Sequence, residues 1–189
     1  MRIEVSHEAV KAAFDAVKDD PSFDESRGLT ERGLMPVEML QAMSLRPEIL
    51  RAFAGFGHGV YPGGLLERRV KELVIITASR ENDCQFCLNS HCDLVAIEDI
   101  VENPLELLDS QPTAMSQRER LAVDYTVAVM ADSNAIPASL ATQLQQAFTD
   151  PELVELTFLI GYINMLNLFN NALGVRYHGE YKALLTAIG

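Results

Sequence analysis

The sequence predicts an all-α fold, a compact multi-helix domain, and three observations carry that prediction. Apolar residues recur at helical spacing along most of the chain, strand-like alternation is scarce, and no Asn-Gly or Asp-Gly pair marks a hairpin. Hydrophobic residues make up 48% of the 189, enough to fill a core without disulfide staples. Residues 1–189 read as one all-α domain, and residues 65–101 read as a helix pair within it.

The elements follow in order. Ser6 is a suitable N-cap for an amphipathic helix running to about Lys18. Residues Asp19 to Gly33 are polar and turn-rich, and read as a connector. Pro36 introduces a short helix over Val37 to Met43, and Arg46-Pro47 opens another that runs to about Gly55. Gly55, Gly57, Gly59, Pro62, Gly63 and Gly64 then read as a breaker-rich loop containing His58. Leu65 to about Ser79 is the next helix, charged at its start and apolar at its end. A helix from near Asp83 to about Ile100 carries the cysteines, with Asn82 or Asp83 as its cap. Pro104 starts a short turn of helix. Ser116 with Glu119 three residues later forms a capping-box pattern for a helix to about Ala131. Helices over Pro137 to Phe148 and Asp150 to about Leu173 follow, with Gly174 as the stop. A last helix is expected over His178 to Ile188.

Charge excludes some partners. With 15 Lys and Arg against 27 Asp and Glu, the net charge of -12 repels phosphate backbones and anionic lipid, so neither nucleic acid nor membrane is an expected partner. The N-terminal stretch MRIEVSHEAVKAAFD is charged too early and too often for a secretory signal. The most apolar stretch, Leu153 to Phe169, contains Glu155, Asn164 and Asn167, and reads as a buried helix rather than a span. The expected location is cytoplasmic, where thiols stay reduced.

Chemistry concentrates in one place. The three cysteines, Cys84, Cys87 and Cys92, lie within nine residues of one another, which points to a local site rather than a disulfide framework. On a helix, Cys84, Cys87 and His91 share a stripe, and Cys87 and His91 are an i,i+4 pair. An imidazole there can accept a thiol proton, and a helix start favours a thiolate. Cys84 and Cys87 at this spacing can also close a disulfide. Zinc binding by Cys84, Cys87, His91 and Cys92 is a competing reading, but a continuous helix does not gather all four into a tetrahedron. Burial of the cysteines as small apolar residues is the blander one. Covalent haem attachment is disfavoured because Leu88 follows Cys87. Glu72 stands where its helix turns apolar. It is either a half-buried carboxylate with a raised pKa or a boundary residue paired with Arg68 or Arg69. Asn164, Asn167 and Asn171 form a polar stripe on a very apolar helix and read as local hydrogen bonding in the core, with a pocket or subunit contact as the alternative.

Glu72, eleven residues, Cys84-x-x-Cys87, three residues and His91 together resemble the signature of the alkyl hydroperoxidase D-like group of the carboxymuconolactone decarboxylase superfamily. The lead-in Arg68-Arg69-Val70-Lys71-Glu72 and the segment Asn82-Asp83-Cys84-Gln85-Phe86-Cys87 belong to the match, which is specific over about thirty residues. The resemblance implies an all-α fold of that type, a homo-oligomer (trimer or hexamer), and reduction of a small hydroperoxide or disulfide. A dithiol or a disulfide reductase would supply the electrons, and no cofactor or metal is implied. Carried over by position, Cys87 is the activated thiol, Cys84 its disulfide partner, and His91 with Glu72 the proton relay. Phe86 stands where the best-known members have a histidine, as in peroxidase-related members of the wider family, and this makes the site drier. The order in which the two cysteines react stays open. Two alternatives stand beside this reading: a lyase acting on a small organic acid through Glu72 and His91, and a non-catalytic redox or zinc module.

Overall fold

The computed structural model describes residues 1–110 and 114–182, and all regular structure among them is helical. The helices are α1 (His7–Ala16), α2 (Asp24–Glu31), α3 (Glu38–Ser44), α4 (Pro47–Val60), α5 (Arg68–Glu81), α6 (Gln85–Ile97), α7 (Pro104–Ser110), α8 (Gln117–Asp132), α9 (Ala138–Ala147) and α10 (Asp150–Leu173), with a 3-10 turn at Pro21–Phe23.

Helix α5 is the hub. Every residue from Val70 to Ser79 is buried, because α6, α8 and α10 all pack on it. A helix covered all round needs apolar residues on every face, which explains why Leu73 to Ala78 shows no polar stripe. The main core gathers Val10, Phe14 and Leu50 with Val74, Leu156, Leu159 and Ile160, so α1 and α4 close over α5 and α10. A second cluster, Leu73, Ile76, Val95, Val101, Leu107 and Met115, seals the other side of α5 against α6 and α7.

The caps form where the sequence signals them. Ser6 Oγ accepts from Ala9 N–H at 3.1 Å. Ser116 and Glu119 cap α8 reciprocally, and Gly174 ends α10 at φ 63, a left-handed position that glycine tolerates best. Although α10 is long and apolar enough to cross a membrane by length and composition, it buries Glu155, Asn167 and Asn170 inside the fold.

Two stretches differ from expectation. The region read as a connector contains α2, and the region read as a glycine loop is mostly helix, since α4 runs through Gly55, Gly57, His58 and Gly59 to Val60. A glycine in a helix costs about 1 kcal/mol. Packing of Leu50 and Ala54 into the core offsets that cost here, a tertiary effect that local propensity does not see. The real loop is short, residues 61–67. A helical turn opens at Glu180, and the part of the expected closing helix beyond Lys182 lies outside the described residues.

Candidate active site

The loop before α5 is gripped from below. Lys71, fully buried, reaches Glu155 Oε1 at 2.6 Å and donates to the carbonyls of Val60 (2.8 Å) and Gly63. Glu155 in turn accepts from the backbone N–H groups of Leu65 and Leu66 at 2.5 and 3.2 Å. Burial pushes Glu155 up, but Lys71 and the two amides outweigh it and hold the carboxyl below its usual range. Gly64 sits at φ 106 where a Cβ would run into Glu155 and Lys71, so only glycine fits this turn. The result is a fixed position for Tyr61.

Tyr61, Arg68, Glu72 and His91 form one hydrogen-bonded cluster. Glu72 is wholly buried. Its Oε1 accepts from Tyr61 Oη at 2.6 Å and from Arg68 Nε at 2.7 Å, and its Oε2 lies 2.7 Å from His91 Nδ1. Arg68 also donates to Tyr61 Oη at 2.8 Å and lies over its ring at 4.6 Å. Burial pushes Glu72 up, yet the contact with His91, the Tyr61 hydroxyl and the Arg68 charge more than compensate, so its pKa falls below 4.5. Of the two readings of Glu72, the half-buried carboxylate with a raised pKa is corrected, and the pairing with Arg68 is found, though on a fully buried group rather than a boundary one. An ionised Glu72 assigns the imidazole proton to Nδ1, which leaves Nε2 as the acceptor. Burial and the adjacent Glu72 charge raise the Tyr61 phenol far above its ordinary value, so it remains a donor.

The cysteines sit at the start of the next helix. Asp83 takes φ 50, a left-handed conformation, and the N-cap of α6 is Cys84, not Asp83 or Asn82. That turn places Cys84 at the positive end of the helix, although its side chain makes no cap hydrogen bond. Its pKa falls to about 7, chiefly because the Cys87 thiol donates to it, with burial opposing and the N–H groups of Cys87 and Phe86 adding support. Cys87 is pushed up by the same shared hydrogen bond and by burial. Both sulfurs are buried and unbridged. The environment that favours a thiolate is thus at Cys84, whereas position in the family signature assigns activation to Cys87.

Helix α10 supplies amides to this end of the site. Asn170 Nδ2 is 3.2 Å from Cys87 Sγ. Asn82 Nδ2 donates to Asn164 Oδ1 (2.9 Å) and Asn167 Oδ1 (3.1 Å), Asn167 Nδ2 donates to Ser79 Oγ (3.1 Å), and Asn171 Nδ2 donates to Asn82 O (2.8 Å). The stripe of Asn164, Asn167 and Asn171 is therefore a hydrogen-bonded ladder that runs from buried Asn167 to exposed Asn171.

His91 and Glu72 are brought together, and so are Cys84 and Cys87, but no hydrogen bond joins the imidazole to either sulfur among the described residues. Phe86 is buried and meets the Tyr177 ring edge-on at 6.2 Å, so the position that lacks a histidine is sealed by aromatic carbon. Cys92 faces the second core cluster, and burial raises its pKa to about 11. Among the described residues no group of three or more His, Cys, Asp or Glu side chains is arranged to hold a metal ion. Two residues escaped the sequence reading. Tyr61 lies in a loop with no periodicity to tie it to Glu72. Asn170 follows Asn167 by one helical step just as Asn171 does nearly so, and spacing alone does not choose between them.

A buried carboxylate on one helix and a cysteine pair opening the next are thus set in an all-α frame. Residues 47–101 match the model of the Carboxymuconolactone decarboxylase family. The uncharacterized protein YnjA of Escherichia coli (strain K12) is 29% identical over 134 residues, 61% of this chain and 69% of that protein. The crystal structure of an alkylhydroperoxidase AhpD core, a peroxidase-related protein from Ralstonia eutropha JMP134, superposes with TM-score 0.72 at 20% identity over 95% of this chain and 93% of that one. A protein of unknown function from Agrobacterium tumefaciens, proposed as the antioxidant defence protein AhpD, superposes with TM-score 0.65 at 26% identity over 72% of this chain and 95% of that one. The chain has the AhpD-like all-α fold, and its residues 47–101 carry the similarity to the carboxymuconolactone decarboxylase family.

Proposed function

We propose that this protein is a thiol-dependent reductase of hydroperoxides, driven by a dithiol donor. The observation that carries the reading is a buried, unbridged cysteine pair at the start of α6 with Cys84 at its cap, where the neighbouring thiol and the helix start lower the Cys84 pKa. The Cys84 thiolate attacks the distal oxygen of the hydroperoxide, the O–O bond breaks, and the alkoxide leaves with a proton to give the alcohol. Cys87 then gives up its proton and attacks the Cys84 sulfenic acid, releasing water and closing the disulfide. A dithiol reopens it by two exchange steps and is itself oxidised to a disulfide. His91, one turn beyond Cys87, moves these protons through Nε2 by way of a water or the substrate oxygen, while Glu72 orients the ring through Nδ1. Consumption of cumene hydroperoxide with dithiothreitol tests the reading. Turnover that needs both cysteines supports it, and turnover indifferent to both rejects it.

A second reading has its own observation. His91 is bonded to Glu72 and not to sulfur, so the Glu72–His91 pair is equipped as an acid–base dyad in its own right. In a lyase acting on a small organic acid, Cys84→Ser and Cys87→Ser would leave turnover nearly unchanged.

We also propose that the chain works as a homo-oligomer. Val154, Phe158, Met165 and Leu168 form an exposed apolar stripe on α10, and Phe158 stacks on Phe56 at 5.7 Å beside a groove of about 730 Å³. Light scattering on the native chain and on Phe158→Glu checks this. A native monomer counts against it.

A further inference from the structure

Asn170 is the side chain in the α10 ladder whose hydrogen bonding is incomplete. It is fully buried, its Nδ2 points at Cys87 Sγ at 3.2 Å with Met39 Sδ at 3.6 Å beyond, and its Oδ1 has no partner. A buried amide with an orphaned carbonyl is a poor choice for stability, because an apolar side chain of similar shape would leave nothing unpaired. The neighbouring Asn167, by contrast, has both ends of its amide engaged. A cleft of about 440 Å³ is lined by Asp83 and Gln85, which flank Cys84, and by Asn170, Arg2 and Arg176. The cleft wall thus joins the chain neighbours of Cys84 to the amide that contacts Cys87, and neither sulfur is itself exposed in it.

We propose that Asn170 is a catalytic residue that stabilises the Cys87 sulfur as the leaving thiolate when the Cys84–Cys87 disulfide is reduced. This deepens the reductase reading and rests on the disulfide part of it alone. The step balances as follows. A donor thiolate attacks Cys84 Sγ and forms a mixed disulfide, and the Cys84–Cys87 bond breaks. Its electron pair departs on Cys87 Sγ, where the Asn170 N–H supports the new charge. The second thiol of the donor then displaces Cys84 and closes the donor's own disulfide. In the opposite direction the same N–H supports Cys87 as the attacking sulfur. A hydrogen bond to a charged sulfur in a dry site is stronger than one to a thiol, so Asn170 binds the transition state better than the resting dithiol.

The test uses the full chain with its disulfide preformed by diamide, which takes two hydrogens from the two thiols and needs no hydroperoxide activity. A failure here is thereby separated from a failure of the peroxidase reading. Reduction by dithiothreitol is followed in the native chain, Asn170→Leu and Asn170→Asp. The expected result is an Asn170→Leu protein at least as thermally stable as the native chain whose disulfide is reduced about tenfold more slowly. Asn170→Asp, with no N–H and a carboxylate against the sulfur, slows further, and it keeps the test open should the leucine variant fail to fold. Reduction within twofold of native in either folded variant overturns the proposal, as does a loss of thermal stability with unchanged reduction.

Discussion

The two ends of the α5–α6 pair solve the same problem with different materials. At one end a carboxylate, Glu72, is buried and kept ionised by three side-chain donors, Tyr61, Arg68 and His91. At the other a thiol, Cys84, is buried and favoured as thiolate by a helix start and a neighbouring thiol. The first depends on side chains from a loop held by the Lys71–Glu155 pair. The second depends chiefly on the neighbouring Cys87 thiol, with backbone N–H groups adding support that no substitution removes. Burial raises the pKa of any acid, so each end shows how many donors it takes to reverse that sign. Under the proposed function the site is two devices, one ionising sulfur and one moving protons, bridged by substrate or water.

The largest expected effect comes from removing the sulfur that the helix start activates. Cys84→Ser should lower hydroperoxide turnover by on the order of a thousandfold or more, while Cys87→Ser should permit a single oxidation and then stall, as read by hydroperoxide consumed per chain. If the devices are separate, His91→Ala should lower turnover about a hundredfold and leave the pH of thiolate formation where it was. A shift of that pH with the imidazole gone would merge the two. Glu72→Gln attacks the carboxylate end. It removes one partner of a buried ion pair and should cost about 3 kcal/mol in chemical denaturation at neutral pH. The sign with pH follows from the lowered pKa of Glu72. Its contribution is complete above the ordinary 4.5 and is lost as pH falls through its lower folded value, so native stability should drop below 4.5 and the drop should shrink in Glu72→Gln. The smallest effect belongs to Tyr61→Phe, which deletes one of the three donors and should cost about 1–2 kcal/mol, measured the same way.

Much of this was legible in the sequence. Ser116 with Glu119, and Gly174 after a long apolar run, marked the ends of α8 and α10 because capping chemistry is local. The Glu72, Cys84, Cys87 and His91 set was legible as a spacing. What the spacing did not reveal was the cap: Asp is a preferred cap residue, but here Asp83 turns left-handed and hands the position to Cys84. The sign of the Glu72 shift was hidden for a different reason. It depends on Tyr61, eleven residues away in a loop whose path is set by Lys71 and by Glu155 on α10. Gly55, Gly57 and Gly59 misled because local propensity favours a break where tertiary packing favours helix.

The account stands most directly on which sulfur ionises, and far-ultraviolet thiolate absorbance followed across pH measures it. Cys92, raised to about 11, is silent near neutrality. The account predicts that Cys87→Ser, whose hydroxyl can still donate to the cap sulfur, keeps a thiolate forming near pH 7, and that Cys84→Ser has none there. A thiolate near neutrality that survives in Cys84→Ser and vanishes in Cys87→Ser would contradict it.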